Sequence, residues 1–158
     1  MRIGFGYDSH RFAAGRRLVL GGVEFPGEDG LAGHSDADAL IHAVIDALFG
    51  AAALGDIGSH FPDDDPKWKG ADSAEMLAAA VAELASAGYR VVNVDATAVC
   101  ERPRLSGRVD AIRERLAGLM GVPVAAVSVK GKTNERMDDV GAGAGVVVYA
   151  VALVDEIG

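Results

Sequence analysis

The side chains best suited to chemistry sit in a few short stretches. Asp8-Ser9-His10 places a carboxylate and an imidazole two residues apart, and residues two apart on a strand share a face. His42 lies in the stretch from Gly33 to Asp65, which crowds polar and acidic residues around one hydrophobic helix. One aspartate and two histidines around an open position form a donor set suited to catalytic zinc, which accepts nitrogen and oxygen and leaves room for substrate. Taken alone, the Asp-x-His triplet is equally a salt-bridged surface pair, and a lone helical histidine is more often packed than ligating. Spacings of four align Asp38, His42 and Asp46 in one row, so carboxylates flank the imidazole. His34, between Gly33 and Ser35, reads as a loop residue that touches ligand; His60 has no such context. Asp56-Ile57-Gly58 and Phe61-Pro62-Asp63-Asp64-Asp65 carry more carboxylates than a turn requires, although such runs are commonly solvated. Lys130 and Lys132, near a strand end, either face a phosphate together or are ordinary surface lysines.

These groups need elements to position them. Arg2 to Tyr7 alternates apolar with small residues and predicts a strand ending at Asp8-Ser9-His10. Gly21-Gly22 between Arg17–Leu20 and Val23–Phe25 predicts a tight hairpin, a small flap. Leu40, Ile41, Val44, Ile45, Leu48 and Phe49 recur at helical spacing, giving a helix near Asp38 to Leu54, capped by Asp36 or Asp38 and closed by Gly55. A second helix starts at Asp72 as N-cap, with Glu75 three residues on, and runs to Gly88 as C-cap. Arg90 to Glu101 is a β-branched strand stopped by Pro103, Ser106 to Leu119 a third helix, and Val127 to Lys130 a short strand entering Lys132-Thr133-Asn134-Glu135. The apolar run Gly145 to Val154 reads as a strand covered on both faces. The fold class is α/β, in a two-layer α+β arrangement of one sheet with three helices on one face. Cover for the other face is expected from copies of the same chain, packed sheet to sheet.

Composition narrows the functions. At 158 residues, half of them hydrophobic, the chain matches a single domain spanning 1–158 that buries its own core. The net charge of -8, with cations never gathered in a stripe, argues against nucleic acid as a partner. Cys100 is the one cysteine and forms no internal disulfide, in keeping with a reducing compartment. No cationic leader and no apolar run of the ~20 residues that span a bilayer is present. A soluble cytoplasmic protein without membrane partners is expected.

The order and spacing of GYDSHRF, of GHSDADALIHAVIDALFGAAALGDIGSHFPDDDPKWKGADS and of VKGKTNE go further. Through these segments the chain resembles, nearly end to end, the 2-C-methyl-D-erythritol 2,4-cyclodiphosphate synthases of the non-mevalonate isoprenoid pathway. The resemblance implies a homotrimer with active sites between subunits and a cavity on the threefold axis. It implies zinc on Asp8, His10 and His42, and transition-state stabilisation by His34 and Thr133, with Ser35 beside His34. Asp56, Ile57, Gly58 and Phe61 to Asp65 would receive the methylerythritol phosphate portion of the substrate. Cys100, Glu101, Arg102, Pro103, Arg104, Leu105 and Ser106, with Lys132, Thr133 and Asn134, would receive the cytidine portion. Glu135 would ligate a second cation, magnesium or manganese, on the diphosphate. The implied reaction is intramolecular phosphoryl transfer that closes a ring and releases CMP, with no protein nucleophile.

After Glu135 the chain departs from the family pattern. Arg136-Met137-Asp138-Asp139-Val140-Gly141-Ala142-Gly143-Ala144-Gly145 has Ala142 and Ala144 where the family usually carries arginine and glutamate. In the family that arginine lies near the axial cavity, so weakened or absent binding of an isoprenoid diphosphate there is expected, with catalysis retained. Two other classes use the same ligands: a metal-dependent phosphohydrolase, and a trimeric binding protein with structural zinc. Some family members carry a fused cytidylyltransferase, for which 158 residues leave no room.

Overall fold

The computed structural model describes residues 1–62 and 64–158. Its sheet is built on β1 (Arg2–Ala13), which pairs antiparallel with β7 (Gly145–Glu156) from Arg2 opposite Val154 to Arg11 opposite Gly145. On the far side of β7 lies β5 (Tyr89–Val99), also antiparallel, and β6 (Val127–Lys132) runs parallel to β5. A short β4 (Gly30–Leu31) joins the end of β1, giving the order β4-β1-β7-β5-β6. Separately, β2 (Val19–Leu20) and β3 (Val23–Glu24) form a hairpin. Three helices, α1 (Ala39–Ala52), α3 (Ser73–Ser86) and α4 (Val109–Met120), cover one face. Two single turns complete the set, α2 (Ile57–His60) and α5 (Asp138–Gly141).

The central helix explains the layering. Leu40, Ile41, Val44, Ile45, Leu48 and Phe49 are all fully buried, so α1 is the middle of the core and not an amphipathic cover. Its remaining face is alanine, and it meets glycine. A Cβ at Gly4 would stand 1.9 Å from the Ala47 carbonyl oxygen, and one at Gly6 would stand 1.9 Å from that of Ala43. Backbone therefore lies directly on backbone, an approach that any larger side chain on β1 would prevent.

Asp38 caps α1 and is fully buried. Its Oδ1 accepts from the Leu40 and Ile41 amides at 3.1 Å and from Gly21 N at 2.8 Å, and its Oδ2 accepts from Gly22 N at 2.6 Å. Burial pushes this carboxyl up to about 6, against the amides that favour its charged form. Gly21 and Gly22 both take positive φ, as a two-residue hairpin of this twist requires. The hairpin expected as a flap is thus pinned to the helix cap, a correction with a plain electrostatic cause.

Other boundaries moved. β1 continues through Asp8 and His10 to Ala13 because β7 offers partners that far. α1 closes at Ala53, in the left-handed region at φ 58, before Gly55 is reached. α3 ends at its C-cap Ala87, and Gly88 follows at positive φ. The third major helix begins at Val109, after a 3-10 turn at Leu105–Gly107 has used Ser106. β7 was expected to be covered on both faces, yet in this chain only its helix side is buried. On the other side Ile3, Phe5, Tyr7, Tyr149 and Val151 form an exposed apolar surface, with Phe5 63% and Tyr149 43% accessible.

The Gly6–Ala43 contact makes a clear prediction. Gly6→Ala should cost on the order of 3 kcal/mol by overpacking, lowering the melting temperature by roughly 6–12 °C. Differential scanning calorimetry checks it, and an unchanged melting temperature would mean that α1 does not rest on β1 as described.

Candidate active site

The tight seat of α1 on β1 brings His42, one residue before Ala43, beside Asp8, two residues past Gly6. Asp8 Oδ2 lies 3.0 Å from His10 Nε2 and 3.1 Å from His42 Nδ1. One ligand atom from each of the three lies within 4.8 Å of the others, the spacing of a metal site. Burial alone would raise the Asp8 carboxyl, but bonds and charge from His10 and His42 outweigh it and hold the group well below the usual carboxylate range. Burial would likewise lower His10, while the Asp8 bond and charge leave it raised.

The outer nitrogens decide which lone pairs face inward. His10 Nδ1 donates to the Ala32 carbonyl at 2.5 Å, leaving Nε2 for the centre. His42 Nε2 lies 2.9 Å from Ser73 Oγ and 3.3 Å from Ser35 Oγ, leaving Nδ1. Arg16 donates to the carbonyls of Gly33 (2.8 Å) and Ser35, and so fixes the loop that carries His34. His34 Nε2 is buried and, among the described residues, has no hydrogen-bond partner. A cavity of about 220 Å³ is lined by these groups together with Ile57, Gly58, Phe61, Trp68 and Met76. A buried unpaired nitrogen beside an Asp/His/His set fits a bound anion coordinated to a metal.

A second cavity, of about 460 Å³, opens beyond the ends of β5 and β6. Cys100, Glu101, Pro103, Arg104, Leu105, Ser106, Lys132 and Thr133 line it with Val109 and Gly131. Burial pushes the Cys100 thiol up to about 11, helped by the Glu101 and Glu28 charges, so it is an unreactive wall. Glu101 Oε1 accepts from the amides of Asn134 (3.0 Å) and Arg136 (3.3 Å), holding a loop in which Glu135 and Arg136 have positive φ. Thr133 Oγ1 donates to Glu135 Oε1 at 2.7 Å. The two cavities share no lining residue, so within one chain His34 and Thr133 face different spaces.

Several expected residues stand elsewhere. Asp56 caps α2, and its hydrogen bonds from Ser59 lower its pKa; Asp65 caps the turn Pro66–Trp68. Neither lines the metal cavity, and nor do Pro62 and Asp64, whereas Asp63 lies outside the described residues. Arg102 is engaged by Glu28 and Asp29 and lies over Phe12, away from the second cavity. Asn134 binds Met137 O and Asp138 Oδ2. Lys130 pairs with Asp95 at 2.5 Å, so only Lys132 of the two lysines faces a cavity. The aligned carboxylates are also corrected: Asp38 is spent on the hairpin, and Asp46 accepts from Ile57 N at 2.7 Å, steadying α2. Among the described residues Glu135 belongs to no group of three potential ligands, so a cation there would need oxygen from its substrate.

Sequence reasoning missed Trp68 and Met76 as walls, Ser73 and Asp36 behind His42, and His60. The last stacks on Phe49 at 4.1 Å, contacts Glu83 Oε2 at 2.6 Å through Nδ1 and bonds Leu54 O through Nε2, tying α2 to α1 and α3. Only the polar Asp72-Ser73 pair, read simply as a helix start, hinted at any of this.

Comparison with known proteins bears on the family and the fold. The model of the YgbB family matches residues 1–155. The chain is similar to the 2-C-methyl-D-erythritol 2,4-cyclodiphosphate synthase of Symbiobacterium thermophilum, 56% identical over 98% of both chains. It is similar also to a solved synthase in its CDP-bound form, 38% identical, with a TM-score of 0.89 over 98% of this chain and 100% of that one. A solved bifunctional IspDF from Campylobacter jejuni, 34% identical, superposes with a TM-score of 0.94 over 98% of this chain and 42% of its own.

Metal occupancy tests the trio. Dialysis of the purified chain against zinc, followed by elemental analysis, should give about one ion per chain bound through this donor set. His42→Ala should reduce affinity by more than the ~10–100-fold typical of losing an outer-sphere partner. Equal occupancy in the variant would remove His42 from the site.

Proposed function

Since the chain belongs to the YgbB family, we infer that it converts 4-diphosphocytidyl-2-C-methyl-D-erythritol 2-phosphate to 2-C-methyl-D-erythritol 2,4-cyclodiphosphate and CMP, a step of non-mevalonate isoprenoid synthesis. It acts as a phosphorus–oxygen lyase. An oxygen of the 2-phosphate bonds to the β-phosphorus, the bond from that phosphorus to the bridging oxygen breaks, and CMP departs with the oxygen and its electron pair. The observation that carries this reading is the cavity in which Asp8, His10 and His42 present ligand atoms beside the unpartnered His34 Nε2.

Asp8, His10 and His42 would hold zinc, and Glu135, with oxygen from the diphosphate, would hold magnesium or manganese. Bound there, the two ions supply Lewis-acid polarisation and neutralise phosphate charge, which is how an acidic chain accepts a polyanion. The remaining work is positioning. His34 Nε2 donates a hydrogen bond to the phosphoryl group in transfer, with Ser35 supporting the His34 loop, and Thr133 Oγ1 does the same once Glu135 Oε1 has turned to its cation. Ile57, Gly58 and Phe61 receive the methylerythritol phosphate end. Trp68 and Met76 narrow that cavity against water. Cys100, Glu101, Pro103, Arg104, Leu105 and Ser106, with Lys132, receive the cytidine end.

His34 and Thr133 meet only if two chains contribute. A homotrimer that buries the Ile3, Phe5, Tyr7, Tyr149 and Val151 surface would join the first cavity of one subunit to the second of its neighbour. Among the described residues no helix is long and apolar enough to cross a membrane, in keeping with work in the cytoplasm.

Incubation of the substrate with the protein, zinc and magnesium, followed by phosphorus NMR, should yield CMP and the cyclic diphosphate in equal amounts. His42→Ala should abolish both. CMP without the cyclic product would mean hydrolysis, and bound nucleotide without turnover a binding protein. Shared sites are tested by mixing. His42→Ala and Thr133→Ala chains, each inactive, should regain roughly a quarter of wild-type activity when unfolded together and reassembled in equal amounts, because random assembly places both intact groups at that share of interfaces. No recovery from properly reassembled trimers would put each site within one subunit.

A further inference from the structure

The metal ligand His42 is backed by a chain of groups whose donor order is forced. Ser73 is fully buried at the first position of α3, with its Oγ 2.9 Å from His42 Nε2. The same hydroxyl donates to Asp36 Oδ1, and the Ser73 amide donates to Asp36 Oδ2 at 3.1 Å. Asp36 is itself held by its surroundings. Its own amide donates to Ala71 O at 3.1 Å, Gly70 N donates to His34 O at 2.8 Å, and Asp36 Oδ1 also accepts from Asp38 N at 3.2 Å. A carboxylate only accepts, so the single Ser73 hydroxyl proton points to Asp36. A Ser73 lone pair then faces His42, and Nε2 must carry the ring proton.

We propose that Ser73 and Asp36 are positioning residues of the metal centre, which hold His42 as the tautomer protonated on Nε2 and so present the Nδ1 lone pair toward Asp8 and the ion. His10 reaches the same end differently, through the Ala32 carbonyl. The two rings thus use opposite nitrogens, and each has its outer N–H engaged. Carboxylate backing through a hydroxyl also makes the imidazole a better donor. Ser35 Oγ, 3.3 Å from the same nitrogen, already accepts from Ala37 N at 3.1 Å and is the weaker contact.

The proposal rests on Asp8, His10 and His42 forming the metal site, and the test separates the two ideas. Zinc affinity is measured by competition with a chromophoric chelator for the wild type, Ser73→Ala, Asp36→Asn, the double variant and His42→Ala. Ser73→Ala and Asp36→Asn should each weaken zinc by about 10–100-fold. The double variant should lose no more than Ser73→Ala alone, because Asp36 acts through Ser73. In the zinc-loaded wild type a downfield imidazole proton on His42 Nε2 should be protected from exchange with water, and that protection should vanish in Ser73→Ala. Zinc affinity within twofold of wild type in Ser73→Ala, or additive losses in the double variant, would overturn the positioning role while leaving the metal site intact. A wild type no tighter than His42→Ala would overturn the metal site and the proposal together.

Discussion

Backbone contact between β1 and α1 is the constraint on which the rest depends. Gly4 and Gly6 remove side chains from one surface, and Ala43, Ala47 and Ala51 keep the other low, so a strand and a helix meet closer than ordinary side chains permit. That separation sets whether Asp8 and His10 reach His42. The carboxylate and both rings then gather within a few ångströms on rigid elements, which is how a site holds geometry without reorganising. Asp38 fixes the start of the same helix, and the hairpin it binds closes over that end of the core.

The site is divided between two ends of the same sheet edge. β1 and β5 run in the same direction with β7 between them, so the metal group at the end of β1 and the pocket at the end of β5 lie side by side yet remain separate cavities. The apolar sheet face is bare in one chain, with an exposed centre of aliphatic and aromatic residues.

Much of this was legible in the sequence, and the exceptions are instructive. Strand alternation correctly put Asp8 and His10 on one face, and the apolar period found α1. The meeting of His42 with that pair is a long-range contact that no local spacing encodes; ligand chemistry suggested the set of three, and the resemblance implied the same set. Helical spacing misled where it aligned Asp38 and Asp46 with His42, because each carboxylate is spent on backbone amides of a distant segment. The Asp-Asp-Asp run offered a crowd of candidates, yet Asp65 serves as a cap. Ser73 was invisible because the first residue of a helix is an ordinary place for serine, and its partner Asp36 lies far away in sequence. Glycine content hinted at turns, whereas the two glycines that matter most sit inside a strand, where their role shows only once α1 is laid across them.

X-ray absorption spectroscopy of the zinc-loaded protein tests the central claim most directly. The account predicts a zinc shell containing two imidazole nitrogens and carboxylate oxygen, with no sulfur, and a phosphorus neighbour appearing when substrate or product is added. A shell containing the Cys100 sulfur, or one of oxygen alone without imidazole scattering, would contradict it.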